Sequence, residues 1–269
     1  TERSLGWMIY FFEYACGLSG YLLEGGVKTY AGTLRLGVTT DTWDAEGSII
    51  AETPLSESDL LPGSPLEQAV RADIAGWLSI TEQPVPPYSA AKHNGQPLYK
   101  LARAGMEVPE KVKKLKISYA DVQWVGMPDV RFRVTCSSGS YIRSLAHSLG
   151  IRLGCGAMLT ELTREYSHPF GLDVSHTLED ILVEPEKLAD RIMPISAALP
   201  GWKTVSIHGR QVADLKNGIP VPARPDDGFH PGERALIVHE DGEPLALAEA
   251  RFDRHQQPVW AVLRGLFTR

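Results

Sequence analysis

The chain has 269 residues, of which 43% are hydrophobic and 22% charged, and its 27 Lys and Arg against 33 Asp and Glu give a net charge of −6. This composition excludes disordered, collagenous and coiled-coil proteins, and the length allows one large domain or two. The overall negative charge argues against a nucleic-acid partner, because proteins that bind nucleic acids usually carry a basic excess.

Cysteine usage and hydropathy indicate a cytoplasmic protein. Cys16, Cys136 and Cys155 are widely spaced, odd in number and form no C-x-x-C pair, so neither a disulfide framework nor a thiolate metal site is expected. The densest apolar run, residues 5–12, is too short to span a bilayer and lacks the flanks of a signal peptide.

The first predicted elements are two strands around a turn, within residues 25–50, followed by a helix. Ser64 can cap this helix, Pro65 fits its first turn and Glu67 completes a capping box. Apolar residues recur at every fourth position and predict the buried stripe of the helix: Leu66, Val70, Ile74 and Leu78.

The middle of the chain predicts a short helix, two strands and a longer helix. The short helix covers residues 98–104, and the first strand covers residues 117–125. The second strand alternates apolar and basic residues, so one face should be buried. The longer helix should end near Gly150. The residues expected to be buried in these last two elements are Val130, Phe132, Val134, Cys136, Ile142, Leu145 and Leu149.

After residue 200, short strands alternate with turns rich in Pro and Gly, which is typical of a small all-β barrel. The expected strands and the one expected helix, near 210–216, are separated by these turns. We therefore divide the chain into domains at 1–199 and 200–269. The strands are expected at 204–207, 234–239, 244–252 and 259–266.

Charge is distributed unevenly along the chain. Residues 1–88 hold 4 basic and 12 acidic side chains, residues 89–152 hold 11 and 4, and residues 153–269 hold 12 and 17, which gives balances of −8, +7 and −5. The basic segment could be a solvated lysine face. Its mixture of cations, aromatic rings and amides also suits looped or single-stranded RNA.

Two short motifs carry candidate chemistry. Lys28 and Tyr30 place a cation and a ring at the start of a strand, and Tyr141 and Arg143 follow a glycine-containing turn at the start of a helix, where free N–H groups favour anionic ligands. The alternatives are an ordinary packed ring and a surface ion pair.

Four segments, in this order and spacing, resemble the TruB family, the tRNA pseudouridine-55 synthases. They lie within roughly 19–182, and they are L-G-V-T-T-D-T with D-A-E-G (36–47), Y-S-A-A-K-H-N-G-Q-P-L-Y-K-L-A-R-A-G (88–105), C-S-S-G-S-Y-I-R (136–143) and the Gly-rich stretch ending in L-T-R (149–164). The resemblance implies an α+β fold, in which a pseudouridine synthase core with a mixed, mainly antiparallel sheet precedes a small all-β PUA-like RNA-binding barrel.

This family isomerises one uridine of the tRNA T-arm to pseudouridine, without cofactor or metal. An aspartate attacks the nucleotide, the glycosidic bond breaks, and the base turns and is rejoined through carbon. The resemblance implies that Tyr30 stacks on the flipped uracil and assists the proton step, and that Tyr141 binds the nucleotide. It also implies that Leu162 packs on the base and that Arg143 pairs with the nucleophilic aspartate.

The resemblance further identifies residues 84–116, hereafter the insertion, as an RNA clamp. The implied partner is tRNA, bound through its T-arm, with no membrane and no metal, and the protein is expected to be a monomer. The candidate RNA-binding residues are Lys92, His93, Lys100, Arg103, Lys113, Lys114 and Lys116.

The expected nucleophile is missing from this sequence. The family carries it in a Gly-x-Leu-Asp-Pro motif ahead of the strand with Tyr30, and no such motif precedes Tyr30 here. The first aspartates, Asp41 and Asp44, are expected to cap backbone N–H groups in a turn. Residues 1–18 match no family motif, as a truncated or frame-shifted gene start would produce. The chain is therefore expected not to isomerise uridine.

Two hypotheses about function remain open at this point. One is a tRNA uridine isomerase whose full-length form carries the aspartate. The other is a catalytically silent protein that binds or folds tRNA.

Overall fold

The computed structural model describes residues 4–5, 17–23 and 26–267, which fall into two compact units. The first unit comprises Thr1–Met8 and Gly25–Val174, and the second comprises Ile9–Glu24 and Ser175–Arg269. The long segments of the two units therefore adjoin between Val174 and Ser175. The sequence instead predicts a domain boundary at 199/200, which stays a prediction.

The described elements of the first unit are numbered here in chain order, together with helix α1 of the second unit, which precedes β2 in the sequence. The helices are α1 (Ser19–Leu23), α2 (Pro65–Gly76), α3 (Leu98–Arg103) and α4 (Ile142–Leu153). The strands are β1 (Ser4–Leu5), β2 (Val27–Leu36), β3 (Val38–Thr40), β4 (Ile49–Glu52), β5 (Glu82–Pro84), β6 (Lys92–His93), β7 (Gln96–Pro97), β8 (Val112–Lys114), β9 (Ile117–Gly126), β10 (Asp129–Ser137), β11 (Ala157–Ser167) and β12 (Phe170–Gly171).

The main sheet of the first unit has the order β1-β11-β2-β10-β9, and β12 also pairs with β11. β1 runs parallel to β11, and the other neighbours are antiparallel. This arrangement confirms the predicted α+β core with a mixed, mainly antiparallel sheet. The small pairs β3–β4, β5–β8 and β6–β7 lie outside this sheet.

The core of the first unit is built on the alternation of β10. Val130, Phe132 and Val134 are fully buried, as predicted, whereas Arg131 and Arg133 are exposed on the opposite face. Phe132 meets Trp77 edge to face, with ring centroids 5.2 Å apart. Such a geometry adds to the burial of both rings.

Helix α2 has the predicted Ser64 cap and Pro65 in its first turn, but the predicted capping box is incomplete, because Glu67 Oε2 accepts the N–H of Gly63 and not that of Ser64. The Ser64 hydroxyl accepts a hydrogen bond from the Glu67 N–H at 3.1 Å.

The C-terminal end of the buried stripe of α2 differs too. Val70 and Ile74 are fully buried, but the prediction for Leu78 was wrong, because its side chain is 53% exposed. The α-helix ends at Gly76 and tightens into a 3₁₀ turn, which places Trp77 in the core instead.

Helix α4 extends beyond the predicted end at Gly150. Gly150 stays within the helix, where a Cβ atom would collide with the backbone of Ala157 on β11. The helix ends at Leu153, since Gly154 adopts the left-handed conformation, with φ of +76°, that closes helices.

The second unit is an all-β curled sheet with short helices, as the sequence predicts for a PUA-like barrel. Its strand order is β13-β15-β16-β17-β14, with β13 and β15 parallel. The core includes the fully buried Trp260 and Ile237. The elements are α5 (Leu178–Val183), α6 (Ile195–Ala198), β13 (Lys203–Ile207), α7 (Arg210–Lys216), β14 (Val221–Pro222), β15 (Arg234–His239), β16 (Pro244–Phe252) and β17 (Pro258–Gly265).

The apolar run at 5–12 falls outside the described residues except for Leu5, whose backbone pairs with Thr163. Within the described ranges, no helix has the length and hydropathy needed to cross a membrane.

Candidate active site

The start of α4 carries two of the predicted site residues. The turn before it includes Gly139, whose φ of +80° lies in the left-handed region that glycine adopts readily. Tyr141 occupies the N-cap position, and Arg143 lies in the first turn of the helix. Lys113 of β8 places its Nζ atom 6.0 Å from the centroid of the Tyr141 ring, within the range of a cation–π contact.

The Arg143 guanidinium is held by three oxygen atoms. Its Nη1 donates to the Thr42 carbonyl at 3.1 Å and to Asp44 Oδ2 at 2.9 Å, and its Nη2 donates to the Tyr88 carbonyl at 3.0 Å. The side chains of Arg143 and Asp44 are only 24% and 22% exposed, so this pair is less screened than a surface ion pair. Arg143 therefore joins α4 to two loops, and one of these loops is the start of the insertion.

Asp44 has two roles, of which only one was predicted. Its Oδ1 accepts hydrogen bonds from the Thr42 hydroxyl at 2.6 Å and from the Glu46 N–H at 3.1 Å, which confirms the expected turn cap. Its Oδ2 pairs with Arg143, 99 residues away in sequence, and no local pattern could have indicated this partner. Asp41 also caps as predicted, because its Oδ1 accepts the Ser48 N–H at 2.8 Å.

The loop that carries Asp44 also packs on α4 through an aromatic pair. The Trp43 and His147 rings stack with centroids 4.2 Å apart and planes 7° from parallel. Trp43 has a φ of +66°, a left-handed conformation that is unfavourable for a bulky side chain. Since His147 lies one helical turn after Arg143, the same face of α4 holds both Trp43 and Asp44.

Tyr30 and Leu162 lie on adjacent strands in the middle of the main sheet. Tyr30 of β2 is 8% exposed, and Leu162 of β11 is partly buried against the same core. The guanidinium carbon of Arg164 lies 5.8 Å from the centroid of the Tyr30 ring. Burial raises the pKa of the Tyr30 hydroxyl, although the nearby Arg164 acts in the opposite direction.

Lys28 interacts electrostatically with one cation near Tyr30 and with another near Tyr141. Burial, together with the positive charges of Arg164 and Lys113, lowers the pKa of the Lys28 ammonium group. Arg164 lies by Tyr30 and Lys113 lies by Tyr141, so three cations create a positive field around both rings. Such a field favours an anionic ligand.

The insertion has a small core of its own. Val85, Leu98 and Leu101 are buried in it, and Tyr141 packs against it. The predicted RNA-binding residues lie on several of its elements: Lys92 and His93 on β6, Lys100 and Arg103 on α3, Lys113 and Lys114 on β8, and Lys116 just after β8. All of them except His93 are exposed.

Metal-ligand geometry is not found in the part of the chain that the structure describes. No three His, Cys, Asp or Glu side chains converge there as a metal site would require.

Comparison with known families gives a match over the first half of the chain. The family profile described as "TruB family pseudouridylate synthase (N terminal domain)" matches residues 3–142. The expectation that the resemblance begins near Ser19 is therefore wrong, since the match reaches back to residue 3.

The sequence similarity to two bacterial relatives extends over almost the whole chain. The tRNA pseudouridine synthase B of Nitratidesulfovibrio vulgaris strain Hildenborough is 54% identical over 270 residues, which span 98% of this chain and 85% of the relative. The protein of the same name from Xanthomonas campestris pv. campestris is 34% identical over 250 residues, spanning 92% of this chain and 77% of the relative.

Solved structures share the fold. A chain in a crystal structure of a Cbf5-Nop10-Gar1 complex matches with a TM-score of 0.57 and 22% identity, over 96% of this chain and 71% of that chain. At this level of identity the likeness shows the fold alone.

Proposed function

Because the chain belongs to the TruB family of pseudouridylate synthases, which are isomerases, we propose that its first unit binds the T-arm of tRNA and receives uridine 55. The substrate class follows from relatives named tRNA pseudouridine synthase B. We also propose that the protein is cytoplasmic and monomeric.

The single observation that carries this proposal is the position of Arg143. A guanidinium that is mostly buried, in the first turn of α4, binds at once the Asp44 loop and the Tyr88 carbonyl of the insertion. Its planar fork is suited to holding several oxygen acceptors in fixed directions. The arrangement brings Tyr141 and the insertion to one helix end, which supports the proposal that Tyr141 binds the nucleotide and the insertion binds RNA.

The roles of the other site residues follow from their chemistry. A uridine must leave its stack before an enzyme can reach its glycosidic bond. In the proposed complex, Tyr30 and Leu162 contact the flipped base from β2 and β11, Tyr141 contacts the nucleotide, and exposed lysines of the insertion neutralise backbone phosphates.

We further propose that the 269-residue polypeptide binds tRNA without isomerising it. The sequence has no Gly-x-Leu-Asp-Pro motif ahead of Tyr30. The carboxylates that follow Tyr30 in the turn are engaged: Asp41 closes the turn, and both oxygens of Asp44 accept hydrogen bonds. We therefore assign both carboxylates to the structure of the turn, and neither to the nucleophile that starts the reaction.

Two measurements on purified protein test these statements. Filter binding should detect a complex with tRNA, and an isolated T-arm hairpin should compete for it better than an anticodon-arm hairpin. In parallel, tRNA labelled with tritium at carbon 5 of uracil should release no tritium above a blank. The tRNA pseudouridine synthase B of Nitratidesulfovibrio vulgaris, assayed alongside, is the positive control.

The two assays separate the two parts of the proposal. Tritium release comparable to that of the positive control would show that the chain isomerises uridine, and the silent-binder statement would be wrong. Equal competition by both hairpins would contradict T-arm recognition, and an absence of tRNA binding would contradict the proposed function as a whole.

A further inference from the structure

We propose that Gln83 is a positioning residue of the uridine site, because its buried amide binds both the main-chain N–H and the main-chain carbonyl of Tyr141. Gln83 Nε2 donates to the Tyr141 carbonyl at 3.0 Å, and Gln83 Oε1 accepts the Tyr141 N–H at 3.1 Å. The inference rests on the proposed function only in what Tyr141 binds.

The direction of the Gln83 amide is set by these contacts. Exchanging its oxygen and nitrogen would place donor against donor and acceptor against acceptor, so only one orientation satisfies both groups. Gln83 is 3% exposed, so water does not replace a lost partner at low cost. The Gln83 side chain thus makes the pair of hydrogen bonds that a neighbouring strand would make, and so fixes the backbone of Tyr141.

Tyr141 depends on this contact because it begins a helix. It is the N-cap residue of α4, and its side chain makes no capping hydrogen bond. N-cap positions are usually held by a short polar side chain, which Tyr141 lacks. Gln83 binds the N–H and the carbonyl of the cap residue from outside the helix, and this contact sets how the Tyr141 ring enters the site.

The same strand pair contacts the helix at two further points. Gln83 pairs in register with Lys113 of β8, and Lys113 stands over the Tyr141 ring. The fully buried Ser144 donates its hydroxyl to the Pro84 carbonyl at 2.7 Å. The β5–β8 pair at the base of the insertion and the first turn of α4 are therefore joined by side chains, so RNA bound to the insertion bears on Tyr141.

The informative substitution is Gln83→Glu, which keeps size and shape. A carboxylate still accepts the Tyr141 N–H but faces the Tyr141 carbonyl without a donor, whereas a protonated carboxyl group restores both bonds. Burial and that carbonyl raise the pKa of the new group, and Lys113 of β8 lowers it. The other charged or titratable residues on these elements are Glu82 of β5, Lys114 of β8, and Arg143, His147 and Arg152 of α4. The defect should therefore appear as the pH rises through this pKa and recover as the pH falls.

Two readouts measure the effect. The first is the fluorine NMR shift of a T-arm hairpin with 5-fluorouridine at the target position, which reports the base in the site. We expect site occupancy to weaken roughly tenfold relative to wild type at high pH and to approach wild type at low pH. The second is the amide signal of Tyr141 in free ¹⁵N-tyrosine-labelled protein, assigned by its loss in Tyr141→Phe.

Two further variants make the result specific. Gln68→Glu is the matched control, because the exposed Gln68 also donates its amide to a main-chain carbonyl, at 2.9 Å, but that carbonyl belongs to Gly63 beside α2 and not to Tyr141. It should behave as wild type. Gln83→Met keeps the length but loses both hydrogen bonds, so its defect should be independent of pH.

The outcomes separate the proposal from its premise. A Gln83→Glu protein whose Tyr141 amide and fluorine signals match wild type at every pH would overturn the positioning role. A change in melting temperature with unchanged Tyr141 signals would overturn it as well, since Gln83 would then be merely structural. If wild type binds the hairpin without a fluorine shift, the uridine site is wrong, and the pH-dependent Tyr141 amide alone decides the role of Gln83.

Discussion

At the scale of single residues, the Trp43–His147 stack is one of the contacts that hold the Asp44 loop against α4. His147 Nδ1 is buried with no hydrogen-bond partner among the described residues, and burial lowers the pKa of the imidazole. The folded protein thus disfavours protonated His147. The stability linked to it is complete above the ordinary histidine pKa, about 6.5, and is lost as the pH falls below that value.

We expect His147→Phe to keep the stack and to remove the pH-dependent loss. Its melting temperature should fall less than that of wild type between about pH 7 and pH 5. His147→Ala should lose about 1 kcal/mol at pH 7 because the aromatic pair is gone. Thermal unfolding followed by circular dichroism checks both, with the exposed His208→Phe as control. Parallel curves for wild type and His147→Phe would contradict this account.

Single residues also show what the sequence could reveal. The turn caps of Asp41 and Asp44 were predictable, since short acidic side chains bind N–H groups a few residues away. Two other contacts were not predictable, because each joins residues far apart in sequence. They are the ion pair of Asp44 with Arg143 and the hydrogen bonds of Gln83 to the Tyr141 main chain. Only folding brings such partners together. The roles of Tyr30, Tyr141, Arg143 and Leu162 toward uridine stay predictions.

At the scale of elements, the start of α2 is a local structure with a measurable contribution. Ser64 accepts the Glu67 N–H, and Glu67 Oε2 in return accepts the Gly63 N–H at 2.8 Å. We expect Ser64→Ala to lower the free energy of unfolding by about 1 kcal/mol, as for other N-cap residues. Urea denaturation gives the value, and Ser79→Ala, an exposed position after α2, is the control. Equal losses in both variants would show that the cap is not the cause.

Elements were predictable where one periodicity dominates. β10 alternates strictly, and β15, β16 and α7 were found at the predicted bounds. β11 was not predicted, although it lies beside β2 in the main sheet. Polar residues such as Glu161 and Thr163 interrupt the apolar pattern of its sequence, and register shifts interrupt its pairing with β2. The end of α2 was misjudged since the 3₁₀ turn replaces Leu78 by Trp77 in the core.

At the scale of the whole molecule, the net charge of −6 conceals the +7 balance of residues 89–152, 11 basic against 4 acidic. We expect tRNA affinity to fall steeply with salt despite the acidic total, because phosphate neutralisation releases counterions. Charge reversal of Lys113, Lys114 and Lys116 together should weaken binding and reduce the slope of log affinity against log salt by roughly 2 to 3. Filter binding at several salt concentrations measures both.

The control for this experiment applies the same charge change elsewhere in the first unit. Arg35, Arg71 and Arg152 are exposed and paired with carboxylates, so their reversal alters the total charge equally without touching the insertion. If that variant lost as much affinity as the lysine variant, total charge would explain binding, and the insertion would not be the RNA clamp.

The contacts of α1 have a consequence for the order of events during synthesis. Tyr21 of α1 meets Trp202 edge to face at 5.9 Å, and Arg234 of β15 lies over both rings. The ribosome makes α1 before all of residues 26–174 and makes its aromatic partner only afterwards. The residues of the first unit from 26 onwards can therefore collapse while α1 still waits for Trp202, and closing so long a loop late is slow. The final contacts of α1 should form only after β15 has left the ribosome.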